Sequence, residues 1–216
     1  MQPITITEAR TWYTENDTVH DFEHVLRVYR MAEKIAKAEG AGLEIIRAAA
    51  LLHDSRGATP GTGIARMEHH QASAKFASAV LSKKGWSQEK IPAVTHCILA
   101  HRFRNPAEKP KTLEAKIIFD ADKLDALGAI GVARVIGYAA IAGTAFYEKP
   151  SAQFLENGIK TEGENHSAYH EYLYKLRNLS ERMFTPTAQK IANDRLRYLD
   201  EFFEKLIIEC GGEEVI

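Results

Sequence analysis

The sequence has little of the chemistry that defines several large classes of protein. Only two cysteines, Cys97 and Cys210, occur among 216 residues, and they are too far apart to form a metal-binding pair. This argues against a disulfide scaffold and favours a reducing compartment. The formal net charge is -1, so no whole-molecule field attracts the chain to nucleic acid or to an anionic membrane.

Long apolar runs, repeats and low-complexity linkers are also absent. Residues 1–17 are polar and lack the apolar core of a signal peptide. The most apolar stretch, residues 124–145, is interrupted by Asp125, Arg134 and several glycines, so no segment approaches the length of a membrane span. We therefore expect a cytoplasmic protein that contacts neither a membrane nor a large nucleic acid. Its apolar helical surface leaves a homodimer open.

Helical spacing of apolar residues runs through almost the whole sequence. Between Phe22 and Ala36 they recur three and four positions apart, and Gly40 ends that run. Thr185 followed by Pro186 marks a helix start, with a capping oxygen and then proline at the first helical position. Further helices are predicted at residues 43–54, 67–84, 87–101, 113–143 and 165–179. No alternating strand pattern occurs, so we predict an all-α, compact, single-domain bundle of roughly eight to ten helices.

The predicted domain spans residues 1–216, with a core at about 20–135 and C-terminal helices at about 165–210 packed on it. Three glycines inside the segment 113–143 either allow close helix packing or mark a break. Residues 143–165 are the least regular and are expected to form an exposed loop or flap, with a role that the sequence does not specify.

Three clusters place metal-binding residue types on helices that are otherwise apolar. His20 and His24 lie four residues apart near a helix start. His53-Asp54 ends the apolar run that begins at Ala48. The third cluster contains the carboxylates of Asp120, Asp122 and Asp125.

Each cluster alone has an ordinary explanation. An HxxxH spacing is usually a surface accident, as we assume for His166 and His170, and Asp122 alone could form a salt bridge. Taken together, the clusters place imidazoles and carboxylates at positions that their surroundings mark as buried, where such groups are costly unless they are paired or bind a cation. One cation would compensate all three.

In this order, His24, His53-Asp54 and Asp122 resemble the H…HD…D signature of the HD-domain metal-dependent phosphohydrolases. The phrases at residues 20–28 and 114–134 are similar to the small single-domain YedJ/YpgQ-like branch of that family. The resemblance extends over nearly the whole chain. It implies an all-α fold in which His24, His53, Asp54 and Asp122 bind one divalent metal ion.

The resemblance also implies the reaction, which is the hydrolysis of nucleotides, with a (d)NTP split to (d)NMP and pyrophosphate. A metal ion suits this chemistry because it activates water and neutralises phosphate charge. The mixed nitrogen and oxygen set suits Mn²⁺, Mg²⁺, Fe²⁺, Co²⁺ or Ni²⁺, and the sequence does not choose among them. We favour Mn²⁺. Asp54 is expected to bind metal through one oxygen and to orient water through the other, while His20 is a candidate general acid or base. Glu23, Asp120 or Asp125 could orient the ligands.

Four further residues are candidates for substrate binding, namely Arg27, Lys123, His96 and His101. The two basic side chains can stabilise phosphate charge, with simple helix pairing as the alternative. The two histidines could contact phosphate together with Arg102. Alternatively, they could bind a second metal ion with His69 or His70, as in a binuclear phosphodiesterase. A non-catalytic nucleotide sensor and a purely structural role also remain open.

Overall fold

A computed structural model describes residues 1–13, 22–56, 63–102 and 108–211, with the backbone alone for residues 63–68. These ranges contain ten α-helices and two 3₁₀ helices. They contain no strand, although one isolated bridge joins Ala145 to Ser167. The prediction of an all-α fold with eight to ten helices is therefore confirmed.

The first six α-helices are α1 (Ile6–Arg10), α2 (Phe22–Glu39), α3 (Leu43–Leu52), α4 (Gly63–Lys83), α5 (Lys90–Ala100) and α6 (Leu113–Leu124). The other four are α7 (Gly128–Ala142), α8 (Ala152–Asn157), α9 (Ala168–Tyr174) and α10 (Pro186–Gly211), and the 3₁₀ helices are Leu176–Asn178 and Ser180–Arg182. Within the described ranges, no single helix is long and apolar enough to cross a membrane, while α6 and α7 taken together pass that test by length and composition only. Cys97 and Cys210 are both free thiols.

The described residues divide into two compact units. The first contains those of Met1–Asp122 and Phe184–Ala188, and the second contains those of Lys123–Met183 and Gln189–Ile216. The single-domain assignment over residues 1–216 stays a prediction.

Helix α3 is central to the first unit, where it packs against α1, α2, α4 and α5. Its last five residues, from Ala48 to Leu52, are all buried. Burial of such a fully apolar run contributes roughly 25 cal/mol for each Å² of apolar surface removed from water. This packing fixes the end of α3, from which His53 and Asp54 follow.

The predicted helical segment at residues 113–143 is two helices, so of the two roles left open for its glycines, a break in the helix is the one observed at Gly128. The chain leaves helical geometry after Leu124, and α7 begins at Gly128 with a φ of 70°. A side chain is strained at such an angle. At Gly131, a Cβ would lie only 2.3 Å from the carbonyl oxygen of Ala126, so this close turn requires glycine.

Other boundaries also differ from the sequence prediction. Helix α4 begins at Gly63 rather than at 67, and α8 lies inside the segment expected to be a loop. Ser167, not Asn165, caps α9, because its Oγ accepts from the backbone N–H of His170. The predicted start of α10 is confirmed: Thr185 Oγ accepts from the backbone N–H of Ala188 at 3.3 Å.

Candidate metal centre

Three helices of the first unit bring two histidines and an aspartate together. His24 comes from α2, His53 is the C-cap of α3, and Asp122 lies on α6. The Nε2 atom of His24 lies 3.4 Å from Nε2 of His53 and 3.4 Å from Oδ1 of Asp122. One donor atom from each residue lies within 4.8 Å of the other two, a spacing that could hold a metal ion.

The tautomer of His53 is fixed by the end of its own helix. Its Nδ1 lies 2.7 Å from the carbonyl oxygen of Ala50, which can only accept, so Nδ1 carries the proton. Burial lowers the pKa of His53 to about 4, and the ring is therefore neutral at pH 7. Its Nε2 then presents a lone pair towards His24, as a ligating histidine held by a backbone carbonyl does.

A second group lies next to the first and contains Asp54, His69 and His101. Oδ1 of Asp54 lies 3.4 Å from Nε2 of His69 and 3.5 Å from Nε2 of His101. His101 is the C-cap of α5, and its Nδ1 donates to the carbonyl oxygen of Ile98 at 2.5 Å. In the neutral ring, Nε2 of His101 is therefore an acceptor that faces a carboxylate oxygen, an arrangement that requires a proton, a water or a cation between them.

Asp54 faces both groups, one with each carboxylate oxygen. Its Oδ2 lies 3.9 Å from Nε2 of His24 and 3.7 Å from Nε2 of His53. Its Oδ1 is buried and makes no hydrogen bond of acceptable geometry among the described residues. Burial raises the pKa of Asp54, but the attraction between this carboxylate and the imidazole of His53, together with polar contacts to His101 and His69, outweighs burial and holds the pKa well below the usual range.

The buried Oδ1 of Asp54 is the observation that makes these imidazole and carboxylate groups fit a divalent cation. A buried carboxylate without a hydrogen bond costs free energy unless a cation or another partner compensates it. Neutral imidazole nitrogens and carboxylate oxygens are also the ligand types that divalent transition metals prefer. The structure therefore brings His24, His53, Asp54 and Asp122 together, as the sequence analysis expected, and their metal ligation is taken up below as a proposal.

The residues proposed for substrate binding and for acid or base catalysis lie at different places in the structure. His101 lies in the second group, whereas the half-buried His96 is held elsewhere, with Nδ1 2.5 Å from Oε1 of Glu108 and Nε2 accepting from the backbone N–H of Lys111. His96 therefore belongs to neither group. Arg27 is half-buried on α2, and Lys123, also half-buried, follows Asp122 on α6. His20 lies outside the described residues.

All three carboxylates suggested to orient ligands have other partners. Asp125 accepts from Nη1 of Arg134 at 2.6 Å. Asp120 accepts from the backbone N–H groups of Phe184 and Thr185. Glu23 is exposed and pairs with Arg10 at 3.1 Å. Asp120 therefore anchors the chain ahead of α10, and Glu23 pairs with α1.

Sequence reasoning named His69 or His70 as ligands of a second metal ion, but it missed the contact of His69 with Asp54 and the contact of His70 with Arg102. His70 is 6% exposed, and its Nδ1 lies 3.4 Å from Nη1 of Arg102. Burial, followed by the charge of Arg102, lowers the pKa of His70 to about 4. The adjacent histidines look like a partly exposed surface pair in the sequence, and only the packing of α4 against α5 gives each a separate role.

The second unit contains a buried polar cluster of its own. His170 lies 3.1 Å from Oε1 of Glu164 through Nε2 and 2.7 Å from Ser167 Oγ through Nδ1. This order resembles a nucleophilic triad, but Ser167 is 1% exposed and its hydroxyl caps α9. Glu164 also accepts from the backbone N–H groups of Ser151 and Thr161. The cluster therefore ties the segment around α8 to the start of α9.

Comparison with known proteins agrees with the geometry of the first unit. The HD-domain family model matches residues 21–127, the range that contains both donor groups. The YpgQ protein of Bacillus subtilis is 31% identical over 212 residues, which cover 95% of this chain and 93% of YpgQ. The chain belongs to the HD-domain family. It is thus a member of the HD superfamily of hydrolases, and the predicted resemblance is confirmed.

Solved structures extend the likeness of this HD-domain protein to the fold. The structure of Bacillus subtilis YpgQ in complex with ADP matches with a TM-score of 0.73 and 28% identity, covering 97% of this chain and 100% of YpgQ. An HD-superfamily hydrolase from Bacillus thuringiensis matches with a TM-score of 0.71 and 29% identity, covering 95% of this chain and 94% of that one. The fold is thus shared over nearly the full length of each protein.

Proposed function

We propose that this protein is a metal-dependent nucleotide phosphohydrolase that splits a (d)NTP into (d)NMP and pyrophosphate. The observation that carries the proposal is the meeting of His24, His53, Asp54 and Asp122, from three helices, around one small volume. The complex of the relative YpgQ with ADP supports a nucleotide as the ligand class.

In this proposal, the four residues hold one divalent ion, with Mn²⁺ favoured. When bound, such an ion supplies positive charge that makes water nucleophilic at neutral pH and neutralises phosphate oxygens. The neutral state of His53 keeps its Nε2 lone pair available as a ligand, and the hydrogen bond to Ala50 prevents the ring from turning. A rigid ligand set fixes where the scissile phosphate lies relative to the attacking water.

Asp54 has a double role. Its Oδ2 faces His24 and His53 and serves the metal, while its Oδ1 faces His69 and His101 and can accept a proton from the attacking water. The depressed pKa of Asp54 keeps this carboxylate ionised, as an acceptor must be. Arg27, Lys123 and His101 remain our candidates for contacts with substrate phosphate, and His20 remains our candidate acid or base.

The test is a panel of nucleoside mono-, di- and triphosphates with added Mn²⁺ and product identification. We expect pyrophosphate release from triphosphates, lost in His53→Ala and Asp54→Asn. Because an outer partner of a ligand already contributes roughly 10- to 100-fold, loss of a ligand should lower kcat by more than about 100-fold. His166→Ala is the matched control, since His166 is 43% exposed and pairs with Glu171.

The outcomes separate three functions. Release of a single phosphate would replace pyrophosphate release by a nucleotidase activity. Tight nucleotide binding with no turnover across the panel would make the protein a sensor. Full activity of both His53→Ala and Asp54→Asn, with circular dichroism still helical, would refute this centre.

A binuclear phosphodiesterase is the second candidate, and the group of Asp54, His69 and His101 favours it. Asp54 would then serve two ions, one through each oxygen. The second site suggested by the sequence included His96. In the structure His96 pairs with Glu108 instead, and Asp54 completes the group with His69 and His101.

Metal content decides between the candidates. If the centre is binuclear, mass spectrometry of the manganese-loaded protein should find two ions per chain, and His69→Ala should reduce this to one. His96→Ala is the control and should leave the metal content unchanged. One ion per chain in the wild type, retained in His69→Ala, would leave the mononuclear enzyme.

A further inference from the structure

Arg102 is a cation without an acidic partner beside the candidate centre. It is half-buried, and its Nη1 lies 3.4 Å from Nδ1 of His70. Among the described residues, no carboxylate lies within ion-pair distance of its guanidinium. An arginine is permanently charged, so its half-buried guanidinium is available to a bound anion.

His70 orients this guanidinium. An arginine can only donate hydrogen bonds, so Nδ1 of His70 must accept, and the ring is neutral in this contact. The ring itself is buried on α4, which packs against α5. One guanidinium N–H is thereby fixed, and the planar fork retains further donors for an anion.

The position of the pair links it to the second group. His70 follows His69, and Arg102 follows His101, so the pair stands beside the two imidazoles that face Oδ1 of Asp54. The first group, with His24 and Asp122, lies against the other oxygen of the same carboxylate. A cationic fork therefore stands next to residues of the second group.

We propose that Arg102, positioned by His70, binds the phosphate next to the scissile one. This inference rests on the proposed phosphohydrolase function and adds a residue that binds the second phosphate of the substrate and a residue that positions it. Planar N–H donors match the oxygens of a phosphate in two parallel hydrogen bonds, which a lysine cannot reproduce.

Kinetics of the manganese-loaded enzyme test the role of Arg102. Arg102→Gln should raise KM for a nucleoside triphosphate by roughly 10- to 100-fold, the loss expected for a charge-assisted hydrogen bond, with a much smaller change in kcat. Arg102→Lys should recover only part of the loss, because it keeps the charge without the fork. Arg197→Gln is the control, since Arg197 is exposed and pairs with Asp194.

The positioning role of His70 is tested by a change in KM that a purely structural role would not produce. His70→Ala should reproduce the KM increase of Arg102→Gln, and the double variant should show no further increase. His70→Asn should restore much of the affinity, because its side-chain oxygen can accept from Arg102 at nearly the same place. A fall in kcat at unchanged KM, or additive effects of the two variants, would overturn the proposal.

A direct measurement of pyrophosphate binding tests the anion site independently of nucleotide hydrolysis. Calorimetry with pyrophosphate on the manganese-loaded protein should give at least about tenfold weaker binding for Arg102→Gln than for the wild type. If the wild type hydrolyses no nucleotide but this difference persists, the proposed function fails and the anion site stands. If nucleotides are hydrolysed and pyrophosphate binds both proteins equally, the anion site fails and the proposed function stands.

Discussion

A single hydroxyl group, that of Tyr13, supports the turn that carries His53 and Asp54. It donates to the carbonyl oxygen of Leu51 at 3.0 Å. The last carbonyls of a helix have no partner within the helix, and Leu51 is the penultimate residue of α3. Burial raises the pKa of Tyr13 well above its usual value, so the hydroxyl remains a donor over the whole working range of pH.

Replacing Tyr13 by phenylalanine removes this hydroxyl and keeps the ring that packs on Phe22. We expect the free energy of unfolding to fall by about 0.5–1.5 kcal/mol in urea denaturation, the usual net value of one hydrogen bond. Mn²⁺ affinity should fall by up to about tenfold, the lower end of the range for groups that support ligands. Tyr198→Phe, at an exposed position, is the control and should change neither quantity. An unchanged Mn²⁺ affinity in Tyr13→Phe would show that the turn at His53 and Asp54 does not depend on this hydrogen bond.

At the level of single residues, the sequence predicted part of the centre. His53 and Asp54 could be found because they follow a wholly apolar run, where polar groups need a reason. His69 could not be assigned, because its contact with Asp54 depends on how α4 packs, which no local pattern encodes. The partner of His96, Glu108, lies twelve positions along the chain in a segment with no helical period, so no local pattern indicated the pairing.

Between elements, Asp120 holds the chain where it enters α10. Its buried carboxylate accepts from two backbone N–H groups, at 2.9 and 2.8 Å, and from the hydroxyl of Thr185 at 2.7 Å. Because α6 also carries Asp122, the same helix contributes to the candidate centre and anchors a distant segment. The first unit thereby includes residues 184–188, far along the sequence.

Asp120→Ala should leave those donors without their acceptor. We expect a loss of about 2–4 kcal/mol in the free energy of unfolding, since each buried unsatisfied group costs roughly 1–3 kcal/mol and water recovers part of this. Equilibrium urea unfolding followed by circular dichroism measures the change. Asp194→Ala, at an exposed aspartate, should shift the midpoint little, and a comparably small shift in Asp120→Ala would contradict the anchoring role.

Element boundaries were predicted well where a local signal exists and poorly elsewhere. Thr185-Pro186 and Gly40 mark helix ends through their own geometry, so the sequence suffices. The apolar spacing continues across residues 125–127, which hides the break between α6 and α7. Glycine there is compatible with either a close packing or a turn, and only the φ of 70° at Gly128 decides.

For the whole molecule, the all-α class followed from helical periodicity alone, because such spacing recurs in nearly every segment. The packing of helices into two units did not follow, since tertiary contacts are not encoded in any one segment. The donor groups lie entirely within the first unit, which connects metal binding to the stability of the fold.

Metal removal should therefore lower thermal stability. At a metal concentration of about 100 times Kd, binding adds roughly 2.7 kcal/mol, which corresponds to about 5–10 °C in Tm for a chain of this size. Differential scanning calorimetry with Mn²⁺ and then with excess chelator measures the shift. His53→Ala should show none, whereas His166→Ala should respond like the wild type; an equal response in His53→Ala would place the bound ion elsewhere.

The adjacency of His53 and Asp54 limits how this protein can change in length. His53 belongs to the first donor group, and Asp54 faces both the first and the second group. Inserting or deleting one residue ahead of them turns each by about 100° around the helix axis. Substitutions elsewhere can weaken one group at a time, but a single insertion or deletion in this turn would dismantle both together.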